Sequence, residues 1–271
     1  NKIVVGRDAR ISGKMTEDLV LDTLTKMGVN VVCLGLSTTP TVEIAVPLEN
    51  ADAGIIITAS HNPRNWNALK LLNNKGEFIN AKDGEKLLKI ANSNPSYKYN
   101  SKNIGEVEFK NQYIDTHTDL IINLPLVDAD LIRSRNFKVV VDAVNSTGGI
   151  AVPNLLNKLG VEVIKLYCDP NGEFPHNPEP LKENLTDLSK LVIKEKADFG
   201  IVVDPDVDRL AFVSENGEVF GEEYTLIACA DYFLKNNPGI TVSNLSSSRA
   251  LRDITESYGC EYFSSAVGEV N

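Results

Sequence analysis

The chain has 271 residues, of which 42% are hydrophobic and 24% charged, enough for a sizeable core. At roughly 100–200 residues per domain, that length fits two domains, or two and a fragment. Its net charge of −10 excludes a sequence-independent grip on nucleic acid, which needs a basic face, and no stretch approaches the ~18 apolar residues of a membrane span. No basic-then-apolar leader opens the chain. Cys33, Cys168, Cys229 and Cys260 form no C-x-x-C pair. They read as core thiols of a cytoplasmic protein rather than zinc ligands or a disulfide framework.

The first predicted element is a buried strand at Lys2–Val5, "KIVV", already under way at the first residue, so that residues before Asn1 are expected. A turn of small and polar residues follows, "GRDARISG". Leu19, Val20, Leu24 and Met27 then recur at helical spacing, and Gly28 supplies the stop. "GVNVVCLG" (Gly28 to Gly35) reads as a second strand, and "ADAGIIITAS" (Ala51 to Ser60) as a third that ends in polar residues. Leu69 to Asn80 reads as a hairpin turning at Asn73–Gly76, Asp83 to Asn92 as an amphipathic helix, and Asn92 to Asn103 as a polar loop. "FKNQYIDTHTDLIINLP" (Phe109 to Pro125) is a predicted helix leading to a boundary near residues 125–136.

The pattern then starts again. "KVVV" (Lys138 to Val141) precedes the turn "DAVNSTGG", a helix carrying Ile150, Leu155, Leu156 and Leu159, a stop at Gly160, the strand "GVEVIKLY", and "ADFGIVVDPD". The repeat aligns Thr58 with Asp204 and Ser60 with Asp206. Strand–helix–strand units with short apolar strands imply parallel sheets covered by helices. The expectation is an α/β protein of tandem, similar three-layer α/β domains with mixed, mostly parallel sheets: 1–134, 135–238, and 239–271 as the start of an incomplete third.

Ligands of open parallel sheets bind outside the carboxyl ends of the strands, where "TASHNP" and "DPDVDR" both fall. Asp204, Asp206 and Asp208 alternate, so an extended backbone puts their carboxylates on one side. Three like charges so close call for a cation, and hard oxygens suit Mg²⁺; the plain alternative is a solvated acidic turn. An EF-hand is excluded, since Arg209 occupies the slot that requires Gly. On an extended backbone Ser60 and His61 would diverge, and no G-x-S-x-G surrounds Ser60. If the two domains face each other, the Ser60 hydroxyl meets the acidic cluster, an arrangement suited to carrying a phosphoryl group. His61 is expected to orient the serine's loop. Lys70 is either a proton shuttle or phosphate clamp, or a surface lysine. Arg7, Arg10 and Ser12 form a candidate anion corner, unless the arginines pair with Asp8 or another carboxylate. His117 reads as structural, His176 has no assigned role, and the sequon at Asn145 lacks a secretory context.

Taken together, "TASHNPRNWNALK", "DPDVDR", the opening "GRDAR-SG" and "SSSRAL" (Ser246 to Leu251) resemble the motifs of the α-D-phosphohexomutase family, the phosphoglucomutases, phosphomannomutases and phosphoglucosamine mutases. The resemblance implies that Ser60 is phosphorylated and that Asp204, Asp206 and Asp208 hold Mg²⁺ with the serine completing the site. It makes Arg209 a phosphate or active-site contact, Lys70 and Arg7 general acid/base groups, and Gly268 and Glu269 part of a loop near the sugar. It also implies hexose phosphate and hexose bisphosphate as partners. Ala68 and Pro205 depart from the glycines usual in these motifs. Family members have four domains, so the resemblance implies that this stretch alone binds Mg²⁺ with little turnover. Two rival readings are a haloacid-dehalogenase-type phosphatase with Asp204 as nucleophile, and a non-catalytic sugar-phosphate-binding protein.

Overall fold

The computed structural model describes residues 1–93, 95 and 103–268; Glu269 and most of the loop read at 92–103 lie outside the described residues. Among the described residues, twelve strands form three sheets. The first comprises β1 (Lys2–Arg7), β2 (Asn30–Leu36), β3 (Ala53–Ile57), β4 (Leu69–Leu72) and β5 (Val107–Phe109), in the order β4-β3-β1-β2-β5. The second comprises β6 (Lys138–Asp142), β7 (Glu162–Leu166), β8 (Phe199–Val203), β9 (Leu210–Ser214) and β10 (Val219–Phe220), in the order β10-β9-β8-β6-β7. In each, the central strands run parallel and the strand after the polar tip turns back antiparallel: β4 on β3, with Ile56 opposite Lys70, and β9 on β8, with Val203 opposite Leu210. The internal repeat is therefore a repeat of topology. A parallel pair, β11 (Thr241–Asn244) and β12 (Tyr262–Ser265), makes the third sheet.

Helices cover the sheets: α1 (Gly13–Lys26), α2 (Thr39–Leu48), α3 (Ala81–Asn92), α4 (Tyr113–Ile122), α5 (Ala129–Ser134), α6 (Gly148–Lys158), α7 (Thr186–Glu195), α8 (Glu222–Asn236) and α9 (Ala250–Ser257). One core packs Val4, Val32 and Ile56 against Val42 and Val46 of α2. On the opposite face, Val5, Cys33 and Ile57 meet Leu21 of α1. Each such Val, Leu or Ile side chain, when fully buried, contributes about 1.5–3 kcal/mol. The second sheet is covered likewise on both faces, by Leu156 and Leu159 at α6 and by Leu188 and Val192 of α7.

Several sequence expectations need correction. In α1, Leu19 and Met27 are exposed, and the inward positions are Gly13, Glu17 and Leu21 with Val20 and Leu24 beside them. A buried glutamate hides this face from a hydrophobicity pattern; Glu17 is accepted because Arg7 Nε lies 3.5 Å from its carboxylate. The turn at Asn73–Gly76 forms and the chain beyond it returns antiparallel to β4, through the Leu72–Phe78 bridge and the Ile79 amide on the Leu71 carbonyl at 3.0 Å, but the main partner of β4 is β3. Residues 109–112 end a strand and begin a turn, so that helix starts at Tyr113. Of the cysteines, Cys33 is buried and Cys229 exposed. Burial pushes the Cys33 and Cys168 thiols up to about 11 each. No helix among the described residues is long and apolar enough to cross a membrane.

The two large sheets meet through backbone contact. Gly172, in the strap between β7 and α7, has φ +77, and a Cβ there would lie 2.1 Å from the Ala9 carbonyl oxygen in the turn after β1. Gly172→Ala is therefore expected to cost about 2–4 kcal/mol, combining left-handed strain with overpacking against main chain. Urea unfolding checks this; a change below about 0.5 kcal/mol, typical of an unconstrained surface position, would contradict it.

Candidate functional site

The acidic residues follow β8. Asp204, Asp206 and Asp208 each bring a carboxylate oxygen to within 4.8 Å of the others, but not by alternation along an extended strand. Val207 has φ +63 and donates its amide to the Asp204 carbonyl at 3.2 Å, so the backbone coils into a turn. Asp204 Oδ1 sits inside that turn and accepts the amides of Asp208 and Arg209, both at 3.1 Å. Pro205 tolerates this path because the motif needs its carbonyl rather than an N–H: Ser146 Oγ donates to that oxygen at 2.7 Å and Thr147 Oγ1 at 2.8 Å.

Ser60 arrives from the other sheet. Thr58, just beyond β3, donates its hydroxyl to Asp8 Oδ2 at 2.7 Å and accepts the Ser60 amide at 2.9 Å. Ser60 itself has φ +49, a left-handed conformation that costs about 1–3 kcal/mol outside glycine and persists only when its surroundings enforce it. From there Ser60 Oγ donates to Asp204 Oδ2 at 3.0 Å and lies 3.4 Å from Asp208 Oδ1. The same turn corrects the expectation that Ser60 and His61 diverge: His61 Nδ1 is 3.3 Å from Ser60 Oγ.

Lys70, opposite Ile56 on β4, points into this cluster. Its ammonium lies 2.7 Å from Asp206 Oδ2 and also pairs with Asp208. Burial opposes the charge on Lys70, yet the two carboxylates outweigh it and hold the ammonium well above its ordinary range. Burial also raises the Asp204 carboxyl well above normal, and Asp206 and Asp208 add to the effect. Asp204 and Asp206 are fully buried, and Asp206 Oδ1 has no hydrogen-bond partner. Such an orphaned acceptor among like charges is what a bound cation would satisfy.

A contact not expected from the sequence joins the halves at this point. Thr39, at the start of α2, donates its amide to the Asp206 carbonyl at 2.8 Å and its hydroxyl to Asp206 Oδ2. The stretch Thr38-Thr39-Pro40 carried a helix-start signal, since Thr38 Oγ1 accepts the Thr41 amide and proline sits in the first turn. Nothing local in it points across to another domain.

Other candidates among the described residues do not touch the Ser60 hydroxyl or the three clustered aspartates through their side chains. Arg7 Nη1 donates to the Asp8 carbonyl at 3.1 Å and its Nε faces Glu17. Arg10 is 1% exposed and pairs with Asp8. Ser12 Oγ accepts from Asn67 Nδ2 at 3.0 Å. Both arginines thus take the alternative of carboxylate pairing. Arg209 Nη1 donates to Glu179 Oε1 at 2.9 Å, which ties it to the strap instead of to Ser60. Gly268 is exposed with φ +130. His117 donates to or accepts from Thr41 Oγ1 at 2.9 Å, in keeping with a structural part.

His176, given no role above, does have a partner: its Nε2 lies 3.0 Å from Asp142 Oδ2 at the end of β6. Burial lowers the imidazole's affinity for a proton, but the Asp142 carboxylate more than offsets it, so the net shift is upward from 6.5. A folded value above the unfolded one gives stability that is complete below ~6.5 and lost as pH rises through the folded value. The melting temperature is accordingly expected to fall as pH rises above ~6.5 more steeply in the wild type than in His176→Asn. Parallel profiles would contradict this assignment.

With this geometry in place, comparison with known proteins defines the class. Residues 1–98 match the family model described as phosphoglucomutase/phosphomannomutase, alpha/beta/alpha domain I, and residues 111–217 match domain II. The chain is 35% identical over 270 residues to a phosphoglucomutase/phosphomannomutase of Thermococcus kodakarensis, covering 99% of this chain and 59% of that protein. It is 33% identical over 271 residues to a probable phosphoglucosamine mutase of Methanopyrus kandleri, again over 99% and 59%. The crystal structure of a phosphoglucomutase/phosphomannomutase family protein from Burkholderia thailandensis superposes with a TM-score of 0.84 at 29% identity, covering 99% of this chain and 58% of that one. The chain belongs to the α-D-phosphohexomutase family. It spans about three fifths of the length of the relatives it matches.

Proposed function

We propose that the protein is a phosphohexomutase that interconverts hexose 1-phosphate and 6-phosphate through a phosphorylated Ser60 and a hexose bisphosphate. Residues 1–134 supply the serine, 135–238 the metal ligands, and 239–271 begin the sugar-binding part. The observation that carries this reading is the 3.0 Å contact between Ser60 Oγ and Asp204 Oδ2, which joins the tips of two separate sheets. Asp204, Asp206 and Asp208 would hold Mg²⁺, which when bound supplies charge neutralisation at the seryl and phosphoryl oxygens.

In the forward step the Oγ–P bond of phospho-Ser60 breaks as a sugar hydroxyl forms its own O–P bond. The proton of the sugar hydroxyl ends on the freed Ser60 oxygen, and the resulting bisphosphate returns its other phosphoryl group to Ser60 as its own sugar oxygen regains a proton. Such transfer depends mainly on alignment and charge neutralisation. Lys70, held as an ammonium by Asp206 and Asp208, is suited to donate to the seryl oxygen or clamp a phosphate. His61, within 3.3 Å of Ser60 Oγ, offers a ring nitrogen for proton exchange.

The phosphatase reading finds little support. The relatives this chain matches are named as mutases, not phosphatases, and Asp204 Oδ2 is directed at the Ser60 hydroxyl. Incubation with glucose 1,6-bisphosphate followed by peptide mapping tests the proposal. A phosphate on Ser60 that survives hydroxylamine is expected; a hydroxylamine-labile phosphate on Asp204 would overturn it.

A further inference from the structure

Arg10 is sealed from solvent, and a charged side chain is almost never so fully buried unless its donors are met. All five are. Nε donates to Asp8 Oδ2 at 3.0 Å, Nη1 to the carbonyls of Pro63 and Trp66 at 2.6 and 3.1 Å, and Nη2 to those of Ser60 and Asn62 at 2.6 and 2.7 Å. Four carbonyls of the loop that carries Ser60 thus converge on one planar group. Its face is covered from the other domain by Phe174 of the strap, whose ring centroid lies 5.2 Å from the guanidinium carbon.

Asp8 completes the arrangement. The carboxylate oxygen that pairs with Arg10 also accepts the Thr58 hydroxyl, and that hydroxyl accepts the Ser60 amide. Both the amide and the carbonyl of Ser60 therefore trace back to one buried ion pair, which explains how φ +49 is maintained there. Lysine cannot substitute, because a compact ammonium has three donors and no planar fork.

We propose that Arg10 is the positioning residue of this site: with Phe174 it fixes the Ser60 hydroxyl over the acidic cluster without touching substrate. The proposal rests on Ser60 being the phosphoryl carrier. It is tested with Arg10→Lys and Phe174→Leu in the full-length protein. Displacing a reacting atom by about 1 Å costs on the order of 10²-fold, so Arg10→Lys is expected to lower kcat by about that factor with KM within about threefold. Amide hydrogen exchange should quicken across residues 58–67 and stay unchanged in β1 and β6. Phe174→Leu, which removes a ring and no hydrogen bond, should lower kcat by about three- to tenfold with the same local exchange signature; it keeps the test in force if Arg10→Lys does not fold.

Wild-type turnover in both variants, an equal loss in KM, or faster exchange spread over the whole domain would overturn the proposal. If the wild type carries no phosphate on Ser60, the functional reading fails instead. Exchange across 58–67 then decides alone whether Arg10 holds the loop.

Discussion

Ser60→Ala is expected to lower phosphoryl transfer by about 10⁴-fold or more, the scale on which removal of a covalent nucleophile acts, with the fold retained. The fold survives because alanine meets the same left-handed strain at φ +49 that serine already bears, and the Arg10 and Thr58 contacts are to the backbone of residue 60. What is lost is the group that reaches Asp204 Oδ2. Assay of hexose-phosphate isomerisation with unfolding measured in parallel separates the two effects. A variant retaining a tenth of the wild-type rate would mean that the phosphoryl group is carried elsewhere.

Asp204→Asn should show stability and function moving in opposite directions. Without a cation, burial and the two neighbouring aspartates all oppose ionisation of Asp204, so a neutral amide of the same shape leaves the cation-free melting temperature unchanged or higher. With Mg²⁺ present, ligand binding to the native state raises stability by mass action, and that increment should vanish. Losing one charged oxygen from a three-carboxylate site is expected to weaken Mg²⁺ binding by about 10²-fold or more. Thermal unfolding with and without Mg²⁺ reads both effects; an unchanged Mg²⁺-dependent increment would remove Asp204 from the cation site.

Much of this was legible along the chain. Buried parallel strands are short apolar runs bounded by small residues, so Lys2–Val5, Ile55–Ile57, Lys138–Val141 and Ile201–Val203 declare themselves, and their repetition fixes the topology. The meeting of Ser60 with the aspartates followed once both were placed at equivalent strand ends. Side-chain direction was less legible. Alternation suggested that the aspartates share one side and that Ser60 and His61 diverge, whereas positive φ at Val207 and Ser60 governs both.

Arg10 marks a second limit. In the sequence it is an arginine in a strand–helix turn, the usual setting of an anion ligand. Its burial comes from carbonyls 50–56 positions away and from Phe174, beyond the reach of local pattern. Thr39 and Glu179 escaped for the same reason: their partners, Asp206 and Arg209, are 167 and 30 positions off.

The central claim is that the Ser60 oxygen and a divalent cation on the acidic cluster are neighbours. With Mn²⁺ in place of Mg²⁺, ³¹P electron–nuclear double resonance on the phosphorylated protein measures that relation directly. A strong phosphorus coupling is expected, of the size a phosphoryl oxygen gives at a metal–oxygen distance of about 2.1 Å, and it should disappear in Asp204→Asn. Phosphoserine with no resolvable coupling to bound Mn²⁺ would contradict the account.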